Sequence, residues 1–200
     1  MSDRKFVARF AAAALVLFSG LLSGCASQKL AAHQPSVDSV QSIRNSAMAP
    51  VNVGEFKVAP TVNAKIDKVV TVRGSQLTSP NNDSFSDYLR ESLLVELKST
   101  GKYDPASTLT VSGQLLRNEL NAAGFSKADA SLGAKFSVAR EGTVLFDKNI
   151  VAQDTWESSF VGAIAIPDAI NHYTDIYSKL LQELFADEEF KRATAGQGSR

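Results

Sequence analysis

Few residues of this chain have side chains suited to chemistry. There is one cysteine, Cys25, and there are two histidines, His33 and His172. Acid–base and metal work draw heavily on histidine. His33 lies in a stretch rich in Ser, Ala and Gln that offers no fixed geometry. His172 falls on the polar face of a helical pattern, with no HExxH and no second ligand beside it. The run Asp187-Glu188-Glu189 lacks the ligand spacing of a calcium loop and reads as a solvated helix end. The sequence contains no GxSxG elbow, P-loop or GxGxxG. These residues predict no catalytic centre, no metal site and no cofactor, and therefore a protein that is not an enzyme.

Cys25 has the more informative context. Arg4, Lys5 and Arg9 precede a 13-residue apolar run, Phe10 to Leu22. That length suits the apolar core of a signal peptide, about 7–15 residues, and falls short of the about 20 that span a bilayer. Ser23 and Gly24 are small enough to enter a peptidase groove, and Cys25 supplies a thiol. Leu22-Ser23-Gly24-Cys25 resembles the lipobox of bacterial lipoproteins. The resemblance implies that residues 1–24 are a signal peptide, that cleavage falls between Gly24 and Cys25, and that the Cys25 sulfur is acylated. One acyl chain binds a membrane marginally and two or more anchor stably. Ala26, in place of an acidic residue, implies sorting to the outer membrane, facing the periplasm. The partners expected are the membrane, through the N-terminal lipid, and an unidentified envelope protein.

Lysine plus arginine equal aspartate plus glutamate over the whole chain, at 21 each. Removing residues 1–24 takes away three basic residues and one acidic residue, which leaves a slight acidic excess. No basic surplus or polybasic run points to nucleic acid. With its only cysteine acylated, the mature chain has no disulfide and no cysteine-based zinc site.

Residues 25–49 carry few large apolar side chains and read as a flexible tether, with a weak helical pattern over 37–44. A single domain is predicted over 50–193, with a disordered tail over 194–200. Val51 to Val58 alternates at period two, and Val69 to Arg73 is β-branched, so both read as strands. Phe85, Leu89, Leu93 and Leu97 recur every four residues, capped by Ser84 and closed by Gly101. Glu96 is assigned to an outer face of that helix. Leu109 to Leu115 alternates, then shifts phase at Leu116, which predicts a bulge. Ala128 to Val138 alternates cleanly, turns at Glu141-Gly142 and returns through Phe146, Ile150, Ala152 and Trp156. A second helix is predicted to open near Pro167 and run to Phe185. The fold class is α+β: a mainly antiparallel sheet of about five strands, two amphipathic helices on one face, order β-β-α-β-β-β-α.

Asp87 to Gly101, Ala128 to Val138, Trp156 to Phe160 leading to Asp168 to Asn171, and Phe185 to Phe190 resemble the YajG-like family of envelope lipoproteins. The element order also resembles the PqiC-type and LptE-type auxiliary lipoproteins at the level of fold. These resemblances imply a location and a fold, and no reaction. One segment invites contact: Phe160, Val161, Ile164 and Ile166 stand in a charge-free stretch where a polar loop is usual. It either tucks over the core or meets a partner or lipid. The function expected is a periplasm-facing, non-enzymatic binding or assembly role. The alternative is an accessory lipoprotein of envelope lipid transport that binds acyl chains.

Overall fold

The computed structural model describes residues 27–124 and 126–196. The predicted signal peptide over 1–24, the Gly24–Cys25 cleavage site and the lipidation site Cys25 lie outside the described residues, as do residues 197–200.

Among the described residues seven strands and four helices follow in order. They are β1 (Ser27–Lys29), α1 (Val37–Asn45), β2 (Asn52–Val58), a 3-10 turn (Ala64–Asp67), β3 (Val70–Val72), β4 (Ser75–Thr78), α2 (Phe85–Ser99), β5 (Leu109–Asn121), β6 (Lys127–Arg140), β7 (Thr143–Glu157), α3 (Gly162–Ala186) and α4 (Glu188–Thr194). The class is α+β as expected, but the strands form two mixed sheets instead of one antiparallel sheet of five. The main sheet has the order β2-β5-β6-β7, and a small sheet has the order β1-β4-β3. β2 lies parallel to β5 because the chain crosses back through α2, the kind of long connection that parallel neighbours require.

The long meander of β5, β6 and β7 buries one face. Leu132, Ala134, Phe136 and Val138 are buried, with Val111, Leu115, Phe146 and Ile150 beside them. Lys135, Ser137 and Asp147 lie on the opposite, wet face, where Lys135 Nζ is 2.7 Å from Asp147. The bulge foreseen at Leu116 is present, as a register shift between Leu115 and Arg117. It has a purpose in packing. Asn118, opposite Leu132, now points inward, accepts a hydrogen bond from the Tyr173 hydroxyl, and donates to the Ile66 carbonyl at 2.7 Å.

α2 forms for the reasons its sequence suggests. The Ser84 side chain accepts from the Asp87 N–H. At the other end Gly101, at φ 69°, closes the helix, with Lys102 N–H donating to the Leu97 carbonyl in a Schellman arrangement. Its stripe of Phe85, Leu89, Leu93 and Leu97 is fully buried, each side chain contributing about 1.5–3 kcal/mol. α3 covers the same face with Tyr173, Ile176, Tyr177, Leu180, Leu181 and Leu184. It starts five residues before Pro167, at Gly162, so the proline sits inside the helix and not in its first turn.

The tether expected over 25–49 is folded from residue 27 onward. β1 pairs with β4 through Ser27–Gln76, Gln28–Leu77 and Lys29–Thr78. The arm then crosses the helices. Tyr88 donates to the Ala31 carbonyl at 2.9 Å, and His33 meets Glu96 at 3.1 Å. Gln182 donates to the Ser36 hydroxyl at 3.0 Å, and Ser36 caps α1. Leu30, Ile43 and Met48 are buried, and Met48 bridges to Ala195. A few well-spaced apolar anchors and buried polar contacts hold this arm, and composition does not register them. The predicted tail is likewise fixed at its start: Thr194 is buried, and Gly196 N–H donates to the Ala47 carbonyl at 3.1 Å.

Candidate functional site

The molecule has two poles. At one, β5 ends, β6 begins, β7 ends, α3 begins and the chain enters at β1. At the other lie the Glu141-Gly142 turn, the end of α3 and α4.

Arg73 organises the first pole. It occupies the two-residue turn between β3 and β4 with Gly74, at φ 47° beside φ 84°. A non-glycine residue in this left-handed region is costly. The side chain reaches two other segments. It donates to the carbonyls of Ala122 at 2.9 Å and Gly124 at 2.9 Å. It also donates to the carbonyls of Ser159 at 2.7 Å and Phe160 at 3.1 Å, and to the Ser158 hydroxyl at 3.1 Å. A guanidinium offers five N–H donors in a fixed fork, so one residue fastens the β5–β6 loop to the β7–α3 connection.

The charge-free segment that Arg73 holds divides into two sets. Phe160 is 73% exposed, Val161 52% and Ile164 60%. Ala165 is buried, and Ile166 packs against the core, so Ile166 leaves the set of surface candidates. Gly162 to Ile166 form the first turn of α3 and not a loop. That rotation separates Ile164, facing out, from Ala165 and Ala169, facing in.

The histidines sit in more structured places than their sequence contexts suggest. His33 is buried, and its Nε2 lies 3.1 Å from Glu96 Oε1. Glu96, expected on an outer face, is fully buried and accepts the Ser36 N–H at 3.0 Å. His172 is half-buried and stacks on Trp156 at 4.2 Å, with the rings 5° from parallel. Its Nδ1 is 2.7 Å from Asp154, whose other oxygen is 2.6 Å from Lys179. Burial raises the Asp154 pKa, but the hydrogen bonds from Lys179 and His172 outweigh it and hold the carboxyl below its ordinary range. Both contacts brace β7 against α3.

The acidic run is a cap. Asp187 accepts from the Glu189 and Phe190 N–H groups and from Lys148 Nζ at 2.7 Å. Three buried tyrosines line the core between α2 and α3: Tyr88, Tyr173 and Tyr177. Burial, with Asp175 adding, pushes the Tyr88 phenol up to about 12, so it remains a donor to Ala31. No cluster of three His, Cys, Asp or Glu side chains that could hold a metal occurs among the described residues. A cavity of about 410 Å³ opens at the far pole, lined by Ile43, Met48, Phe185, Phe190 and Lys191 among others. Among the described residues no helix is long and apolar enough to cross a membrane.

Sequence reasoning missed Arg73. The available signal was Arg-Gly between Val69-Val70-Thr71-Val72 and Ser75-Gln76-Leu77-Thr78, a two-residue hairpin pattern.

The fold has counterparts among solved structures. Protein XCC0632 from Xanthomonas campestris, a member of the DUF330 family, superposes with a TM-score of 0.54 at 15% identity, over 80% of this chain and 91% of its own. A candidate lipoprotein from Caulobacter crescentus gives a TM-score of 0.45 at 9% identity, over 81% of this chain and all of its own, at 100%. No family model matches the sequence, and no curated protein matches it. The first likeness shows a shared fold. None of these comparisons shows the YajG-like family.

Proposed function

We propose that this protein is a lipid-anchored envelope lipoprotein of the outer membrane, periplasm-facing and without enzymatic activity, whose folded domain binds a partner close to the lipid surface. One observation carries the reading. The lone cysteine, placed after a charged and apolar leader, stands two residues ahead of the first strand. Attachment at Cys25 therefore delivers a domain with no slack between lipid and sheet. The absence of enzymatic activity is supported by what the titratable groups do: His33, His172, Asp154 and Asp187 each hold one element against another.

The far-pole cavity favours a second reading, an accessory role in lipid transport. Its volume falls within the range of small-molecule sites, about 300–1,000 Å³, and Ile43, Met48, Phe185 and Phe190 give it an apolar wall.

Intact-mass spectrometry of protein extracted from membranes tests both. The first reading expects a mature chain beginning at Cys25 with covalent acyl mass that survives denaturation, and a Cys25→Ser form without it. Acyl mass retained in Cys25→Ser would refute the anchor. Lipid seen only under native conditions, and lost when Ile43→Trp fills the cavity, would favour the second.

A further inference from the structure

We infer that the pole holding Phe160, Val161 and Ile164 lies against the bilayer, with these three side chains seated among the lipids that hold the Cys25 anchor. The inference rests on the anchor reading and goes beyond it by giving the domain an orientation.

Chain length makes the argument. Only Ala26 separates Cys25 from Ser27, and a fully extended chain covers about 3.3–3.6 Å per residue. Ser27 is fixed opposite Gln76, so the anchored sulfur cannot lie far from that edge of the small sheet. β1 runs parallel to β4. The first residue of β1, Ser27, therefore lies at the end of β4 that adjoins Gly74 and Arg73. From Gln76 to Arg73 is three residues, about 10 Å of strand. Arg73 in turn holds the Ser159 and Phe160 carbonyls. The attachment point and the exposed apolar residues thus share one pole, joined by one arginine.

Side-chain direction agrees. Ile164 lies in the first turn of α3, where Cα–Cβ bonds lean toward the helix N-terminus, that is, toward the anchored pole. Two of the lysines nearby stand beside acidic residues. Lys127 stands opposite Glu157 in the β6–β7 register, and Lys29 is 3.0 Å from Asp83. The exposed side chains of Phe160, Val161 and Ile164 make the contact apolar, with a lipid surface as the occupant, at the depth of about 5–10 Å reached by interfacial segments.

The native chain has one cysteine, and acylation blocks its sulfur. Phe160→Cys, Ile164→Cys and, at the far pole, Glu141→Cys each add a single labelling site to the acylated, full-length protein. Each is labelled with bimane and placed in phosphatidylcholine vesicles whose acyl chains carry bromine. The labels at 160 and 164 should be quenched several-fold more than the label at 141. Equal quenching at the two poles, in protein whose acylation is verified by mass, overturns the orientation and leaves the anchor standing. A mature chain without acyl mass overturns the anchor, and this inference with it. A label at 160 unquenched in vesicles but shielded in native membranes identifies a protein partner and likewise overturns the lipid contact.

Discussion

Arg73 is an arginine in a place made for glycine or asparagine. Two-residue turns of this kind need positive φ at both central positions, and the left-handed region costs an ordinary residue about 1–2 kcal/mol. Five hydrogen bonds from its side chain offset that strain. Arg73→Gly should relax the backbone and still lose stability, by about 2 kcal/mol, since bonds from a charged donor are each worth more than neutral ones. Denaturant unfolding measures the loss, and hydrogen exchange over 158–161 should rise before the sheet loosens. An unchanged midpoint with unchanged exchange would show that the fork is ornamental. This role could not be read from the sequence, because four of its acceptors are backbone carbonyls 49 to 87 residues away, and a carbonyl carries no sequence signal. Asn118 is the contrasting case. Its inward turn was written into the phase shift at Leu116, because a bulge exchanges the two faces of a strand.

At the scale of elements, the arm from Ser27 to Met48 separates pattern from structure. The long elements were legible in their periods: four-residue recurrence along α2, clean alternation along β6, and a Glu-Gly turn after it. The arm has one three-residue strand, a nine-residue helix and few large side chains, so its composition is that of a linker. Its fixation depends on partners far along the chain. Glu96 is central among them, since one buried oxygen serves both His33 and the Ser36 N–H. Glu96→Ala leaves the buried His33 ring and the half-buried Ser36 N–H without this acceptor and should cost about 3 kcal/mol. Limited proteolysis should then cut within 30–45 while the core of β5, β6 and β7 stays protected. If the arm remains as resistant as in the parent, Glu96 does not hold it. The start of α3 was misread for a related reason. Pro167 is a sound helix-opening signal, but Ala163, Ile164 and Ala165 continue the turn backwards, because Ala165 and Ala169 pack on one face.

Across the whole molecule, α3 sets the distance between poles. Its 25 residues, at 1.5 Å each, extend about 37 Å. The far end of this span is closed by the contact between Lys148 and Asp187. Burial raises the Asp187 pKa, but Lys148 and the Phe190 and Glu189 N–H groups more than compensate, so the folded value lies below the ordinary 3.8. A carboxyl depressed on folding contributes stability fully above its unfolded pKa, and that contribution is lost as pH falls through the folded value. Lowering pH from about 5 toward 3 should therefore expose α4 to exchange before the sheet opens, and Asp187→Asn should flatten that dependence. Protection over 188–194 that stays level across this range would show that this contact does not govern the pole.

The clasp between Met48 and Ala195 bears on how the protein can be observed. Gly196 is held beside Ala47, at the pole opposite Ser27. A fluorescent reporter or purification handle inserted directly after Gly196 therefore starts at the pole opposite Ser27. Because the arm and the C-terminal helix fasten one another, such a fusion would best be spaced by several residues, so that its bulk does not pry the clasp apart.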